Sequence, residues 1–244
     1  MRNLKLTLAY DGTSFSGWQI QPGVLTVQGE IQRAVQTILN HDVVIHGSGR
    51  TDAGVHAHAQ VANFLTEHSI EGARLLGGLN ALLSPEIRIL RLEEVPLDFQ
   101  ARLSAISKTY EYHVWRLPEV SPFRYRFVVP VTCDLDAIAM DRASTEFIGS
   151  HDFTSFCSAD EKGGRNIRTV SEAAWRRKDE EWVFRIRANG FLRYMVRAVV
   201  GTLIDVGKGR IKADEIPEIF SAKDRQEAGP SAAARGLHLV NVEY

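Results

Sequence analysis

Apolar positions along this chain fall into two rhythms that alternate. Residues 4–10 place Leu4, Leu6 and Leu8 on one face and Lys5 and Thr7 on the other, the period of a strand, and Asp11-Gly12 ends it as a turn. Thr26 then stands as a cap before Val27, Ile31, Val35, Ile38 and Leu39, which form the stripe of a helix. Strands are predicted at 43–46 and 56–64. A helix follows at about 72–83, carrying Leu75, Leu76, Leu79, Leu82 and Leu83 and stopped by Ser84-Pro85, and then a strand at 87–92. The order is β-α-β-β-α-β.

From Lys108 the same order returns. A strand at 108–116 leads through a long Pro-containing connection to a helix running from an Asp134 cap to Gly149, then to strands at about 168–177 and 181–188. A helix at 191–206 ends at Gly207, a further helix lies near 212–221, and a strand at 237–243 closes the set. Two split β-α-β units predict an α+β protein of two ferredoxin-like, RRM-like halves, 1–106 and 107–244. Their sheets are expected to join edge to edge as an antiparallel or mixed sheet, with a central cleft as the natural site.

The 244 residues are enough to bury a core, and 44% apolar with 24% charged residues is an ordinary globular composition with no run long enough to span a membrane. The N-terminus reads as a strand and not a secretion signal, so a cytoplasmic protein is expected. Cys133 and Cys157 make no Cys-x-x-Cys or Cys-His cluster and are expected to be plain buried thiols. Net charge is only −1, yet basic residues gather in the second half: Arg165, Arg168, Arg176 to Lys178, Arg185, Arg187, Arg193 and Arg197. Nucleic-acid binding needs a basic face, and this distribution allows one.

Candidate chemistry centres on the run Gly47-Ser48-Gly49-Arg50-Thr51-Asp52-Ala53-Gly54-Val55-His56-Ala57. Its glycines reach backbone conformations other residues avoid, which lets a loop between two strands hold Asp52 outward. A local Arg50–Asp52 ion pair is the simpler alternative. On the helix from 191, Arg193 and Arg197 are spaced i, i+4, and Arg197, crowded by Met195, Val196, Val199 and Val200, is a partner that would keep Asp52 ionised at neutral pH. Tyr110 or Tyr112, on one face of strand 108–116, could stack on a planar ligand or belong to the core. Arg185 and Arg187 share the face of strand 181–188 opposite Trp182, Phe184 and Ile186, an arrangement suited to phosphates. Gly201 to Lys208 has the wrong spacing for a phosphate loop, and His56-x-His58 lacks a third ligand nearby in sequence, so neither nucleoside triphosphate nor metal is expected.

Taken together, Gly49 to His56, Asp11-Gly12-Thr13 with Gly17-Trp18-Gln19, and Thr26-Val27-Gln28-Gly29 resemble the tRNA pseudouridine synthase A family. The match continues in family order through Ser107 to Tyr112, Gly149 to Phe156, Phe191 to Gly207, and Ala222 to Arg225 with Gly236-Leu237. The resemblance implies a pseudouridine synthase fold and a homodimer that needs no cofactor and isomerises uridine to pseudouridine in the tRNA anticodon stem-loop, at positions 38–40. It makes Asp52 the nucleophile, Arg50 its loop companion, Tyr110 the aromatic against the uracil, Arg197 the basic partner of Asp52, and Leu237 a neighbour of the base. Lys108, Arg187 and Arg193 are further expected contacts to RNA. Whether Asp52 attacks the sugar or assists loss of a sugar proton stays open. Gln100, Leu103 and Ser48 depart from the family pattern. Two other classes compete: a non-catalytic RNA-binding protein of two RRM-like halves, in which a lone Asp52 has no purpose, and an N-glycosidic hydrolase, which commonly sets a second carboxylate opposite the first.

Overall fold

Thr26 is extended at φ −135°, and its side chain accepts a hydrogen bond from Gly29 N, so the first helix starts at the expected cap. The structure, a computed structural model, describes residues 1–158 and 166–244; Arg165, counted above in the basic group, lies outside the described residues. In chain order the elements are β1 (Arg2–Tyr10), α1 (Val27–Leu39), β2 (His46–Gly47), β3 (His56–Thr66), α2 (Gly72–Leu82), β4 (Ile87–Val95), β5 (Ser107–Trp115), β6 (Val129–Pro130), α3 (Ala137–Thr145), β7 (Gly149–Asp152), β8 (Ile167–Lys178), β9 (Glu181–Ala188), α4 (Met195–Gly207), α5 (Ile216–Ala222) and β10 (Leu237–Glu243). The fold is α+β. Its chain divides into two units, Met1–Ile106 with His238–Tyr244, and Ser107–Leu237.

In the first unit the strand order is β4-β1-β3-β10, with β2 paired to β3. β1 is antiparallel to both β3 and β4, and Leu4, Leu6 and Leu8 are fully buried, as their alternation requires. The two helices meet where Gly78 lies against Ile38. β3 does not alternate: Gln60 through Phe64 are all buried, and at Asn63 the backbone of residues 96–101 covers the other face. Asn63 donates to Asn3 Oδ1 at 2.9 Å and accepts from Ala101 N at 2.9 Å, while Asn3 donates to Pro96 O and Phe99 O. Each buried amide is thereby satisfied. The expected strand at 43–46 shrinks to His46–Gly47, since side chains of α1 take the backbone of Ile45: Gln28 donates to its carbonyl and Gln32 accepts from its N–H.

The strand that closes the chain, β10, pairs in parallel with β3, through His238–His56 and Leu239–Ala57. Its apolar alternation specifies a strand but not which edge it joins.

In the second unit the order is β5-β9-β8-β7, with β6 parallel to β5. β7 has no counterpart in the sequence pattern, since Gly-Ser-His-Asp carries no apolar alternation; it pairs antiparallel with β8. Phe147, Phe153, Phe156 and Phe220 pack together at centroid distances of 4.9 to 6.1 Å, the core role of the Gly149-to-Phe156 segment. Cys157 is buried, but Cys133 is exposed, contrary to expectation. Among the described residues no helix is long and apolar enough to cross a membrane.

Two helix starts also differ. α3 begins at Ala137, capped by Asp136, whose carboxylate accepts from Ala139 N at 2.9 Å, and not by Asp134. Asp136 N donates to Gly207 O, so docking on α4 sets the start. Asp136→Ala is expected to cost about 1 kcal/mol, about 2 to 4 °C in melting temperature for a chain of this size, with Asp134→Ala nearly neutral. Equal melting curves for the two variants would refute the assignment of the cap. α4 begins at Met195 instead of 191, because Tyr194 sits in the left-handed region at φ 64°. Arg193 therefore precedes the helix and shares no helical face with Arg197.

Candidate active site

The Asp52 loop is built on its neighbours in the first unit. Trp18 N donates to Thr51 O at 3.0 Å, Gly54 N to Phe15 O at 3.4 Å, and Val55 N closes a turn onto Asp52 O at 3.1 Å. Gly12 N donates to His56 Nδ1 at 3.0 Å. A Cβ on Gly12 would lie 1.9 Å from Val55 O, and one on Gly17, at φ +92°, would lie 2.7 Å from Thr51 O. These contacts give a physical role to Asp11-Gly12-Thr13 and Gly17-Trp18-Gln19: the segment from Asp11 to Trp18 is the bed on which the aspartate loop rests. Asp52 is half-buried on that bed and Arg50 is exposed.

Asp11 Oδ1 lies 3.2 Å from His56 Nδ1, within ion-pair distance. The same nitrogen faces the Gly12 N–H, so the contact is an ion pair only when the imidazole is protonated. His238 of β10 stacks on His56 at 4.8 Å and on His58 at 5.3 Å, supplying the third imidazole absent from the local sequence. Rings stacked face to face keep their in-plane lone pairs from converging on one ion, and among the described residues no cluster suits a metal.

Below the loop, Tyr10 and Thr51 hydroxyls meet at 2.8 Å. Burial pushes the Tyr10 phenol up to about 12, although its hydrogen bonds to Thr51 and Gln60 favour the phenolate. Burial likewise raises Tyr112 and Tyr244. A phenol whose folded pKa exceeds its unfolded value of 10.0 stabilises the fold fully below that value and loses the contribution as pH climbs through the folded value. Unfolding is therefore expected to set in between about pH 10 and 12, with phenolate absorbance rising alongside loss of circular dichroism. Reversible titration of all six tyrosines near pH 10 with the fold intact would contradict this.

The second unit holds the other expected residues. Tyr110, on β5, is buried and meets Phe191 edge to face at 5.0 Å. Tyr112, the alternative stacking residue, is fully buried and donates to Ala233 O at 2.9 Å, which makes it a core residue. Arg185 is held by Glu111 at 2.6 Å and Glu172 at 3.3 Å, so one of the two arginines expected for phosphate is already neutralised. Arg187 donates to Ser107 Oγ at 3.0 Å and pairs with Thr109, so it lies on the sheet face opposite Tyr110. Lys108 is half-buried across from Ala188.

Every residue of α4 except Arg197 is buried. Gly201 approaches Pro230 so closely that a Cβ would lie 1.6 Å from its carbonyl oxygen, and Thr202 Oγ1 accepts from Gly229 N at 2.9 Å. Arg225 donates to the carbonyls of Ala228 and Gly229 and to Ser231 Oγ. The segment 228–233 is thus clamped to α4, where Ala232 O accepts from Arg197 Nε at 2.7 Å. The Arg193 and Arg197 guanidinium groups lie 4.8 and 5.2 Å from the Tyr194 ring, so the structure does bring these two arginines together, through the tyrosine. Leu237 is buried at the start of β10.

A family profile described as tRNA pseudouridine synthase matches residues 7–103 and 143–244. The tRNA pseudouridine synthase A of Acetivibrio thermocellus is 42% identical over 244 residues, covering 100% of both chains. That of Anoxybacillus flavithermus is 44% identical over 245 residues, covering 100% of this chain and 99% of the relative. The chain belongs to the tRNA pseudouridine synthase family. In this member of the family, the sequence marks the aspartate loop and Trp18 but not the buried side chains of Tyr10 and Gln60 beside it. Gln60 left one signal in the sequence, a polar side chain set between Ala59 and Val61 in a predicted strand, and the structure buries it fully.

Proposed function

We propose that this chain isomerises uridine to pseudouridine in tRNA, in the anticodon stem-loop at positions 38–40, with Asp52 as the nucleophile. The observation that carries the reading is one half-buried carboxylate on a loop braced from below, in a chain similar along its whole length to tRNA pseudouridine synthases A. The reaction breaks the N1–C1′ bond, turns the uracil, and joins C5 to C1′; the C5 proton leaves and N1 gains one. A single ionised carboxylate serves whether it attacks C1′ or assists removal of a sugar proton, and no redox step or group donor enters, so no cofactor is assigned. The target base must leave its stack at a cost of a few kcal/mol, which phosphate contacts and stacking offset.

Tyr110 is assigned to stack on the uracil, Leu237 to border it, Arg197 to act as the basic partner of the carboxylate, and Arg50, Lys108, Arg187 and Arg193 to contact RNA. The active form is assigned as a cytoplasmic homodimer. The test is tritium release from 5-tritiated uridine in unmodified tRNA, in the presence of a chelator and without nucleotide. Release with retention of the base as pseudouridine supports the reading; free uracil would point to a hydrolase, and binding without release to an RNA-binding module.

A further inference from the structure

Besides the Asp11–Trp18 segment, one buried amide braces the loop bearing Asp52. Gln60 has no exposed surface. Its Oε1 accepts from Ser48 Oγ at 2.6 Å and from Val61 N at 3.1 Å, and its Nε2 donates to Gly49 O at 3.1 Å. Ser48 N in turn donates to Val61 O at 2.7 Å, so the loop leaves the sheet under constraint from both backbone and side chain. On the other side the Tyr10 hydroxyl, itself bonded to Gln60, holds Thr51, the residue before Asp52. Between Leu8 and Tyr10 the β1–β3 register shifts, an irregularity of the kind that re-aims a side chain beside a functional site. The amide orientation is dictated by its partners. Turned over, it would keep a bond to the Ser48 hydroxyl, which can also accept, but would set its oxygen against the Gly49 carbonyl and its NH2 against the Val61 N–H, two repulsive contacts in place of two bonds.

We infer that Gln60 is a positioning residue for the isomerisation, fixing the height and angle of the Asp52 loop by donating to Gly49 and accepting from Ser48. The inference rests on the reading of Asp52 as nucleophile. The role needs a neutral group that donates on one edge and accepts on the other, and no charged isostere meets that need. Gln60→Glu keeps the shape and makes the requirement titratable. While the new carboxyl is protonated, its O–H donates to Gly49 O as the amide does; once ionised, it presents an oxygen to that carbonyl and the loop shifts.

Single-turnover tritium release by the full chain is compared for wild type, Gln60→Glu and Asp52→Asn at about pH 6 and about pH 8.5, with tRNA affinity and circular dichroism measured at both. The expected result is a Gln60→Glu rate within about threefold of wild type at the lower pH and at least about tenfold below it at the higher, while affinity and dichroism stay within about twofold of wild type. A rate ratio that does not change with pH overturns the inference. So does a loss that tracks tRNA affinity or folding, which would make Gln60 a core residue only. If Asp52→Asn turns over, the nucleophile reading itself fails and the inference with it. If Asp52→Asn is inactive and Gln60→Glu follows wild type at both pH values, the inference alone fails.

Discussion

Asp52→Asn is expected to lower tritium release by at least about a thousandfold while tRNA binding stays within about twofold, because asparagine keeps the shape and removes the only group assigned to attack. The near-isosteric change leaves the backbone bonds Val55 N to Asp52 O and Trp18 N to Thr51 O untouched, so loss of rate with retained affinity isolates the chemistry from the fold. Tritium release is the appropriate readout, since product and substrate have the same mass. An active Asp52→Asn enzyme would end the assignment. A variant that also fails to bind tRNA would show that the carboxylate helps hold substrate instead.

The second large effect is expected at Gly12, which belongs to no catalytic list. Its missing side chain is the clearance between the supporting segment and the aspartate loop: a Cβ would stand 1.9 Å from Val55 O, and real Cβ contacts essentially never fall below 3.0 Å. Something must therefore move by at least 1.1 Å, the difference between those distances, and the obstacle is backbone three residues beyond Asp52. A displacement of that size at a reacting group costs about a hundredfold in rate, and forced overpacking costs about 1 to 3 kcal/mol of stability. Gly12→Ala should thus lose about a hundredfold in kcat and melt several degrees lower. Gly77→Ala is the matched control. Gly77 lies in α2 with nothing within 4 Å of its would-be Cβ, so alanine there should leave activity unchanged and stabilise by about 0.5 to 1 kcal/mol. Equal activity of the two variants would mean that the loop yields freely and that its bed does not set the position of Asp52.

Both effects arise in parts of the site with unequal visibility in the sequence. The aspartate loop stood out because glycines and a charged pair between two strands form a local pattern. The reason for Gly12 and Gly17 did not, because it depends on carbonyl oxygens some forty residues away that only the folded chain brings near. The two arginines of β9 look equivalent in sequence, yet Arg185 is taken by Glu111 and Glu172 from the flanking strands while Arg187 bonds Ser107. Tyr110 and Tyr112 look equally suited to stacking, yet only Tyr112 is tied to Ala233 and to the close approach of Gly236. Arg193 was placed on a helix that begins two residues later, because apolar periodicity runs on through Phe191 and Leu192 and carries no sign of the left-handed turn at Tyr194.

By itself the sequence determined the kind and order of nearly all the elements, the Thr26 cap, the buried alternation of β1 and the single carboxylate on its glycine-rich loop. These are short-range properties, set by the strand and helix periods and by capping bonds within one turn. Only the tertiary structure decided that β10 joins β3, that Asp136 and not Asp134 caps α3, that the backbone of residues 96–101 covers the other face of β3 at Asn63, and that Gln60 and Tyr10 brace the aspartate loop. Each of those outcomes pairs groups far apart in the chain. Many such pairings are compatible with the same local pattern, and the one adopted is chosen by which closure satisfies the buried polar groups and fills the core.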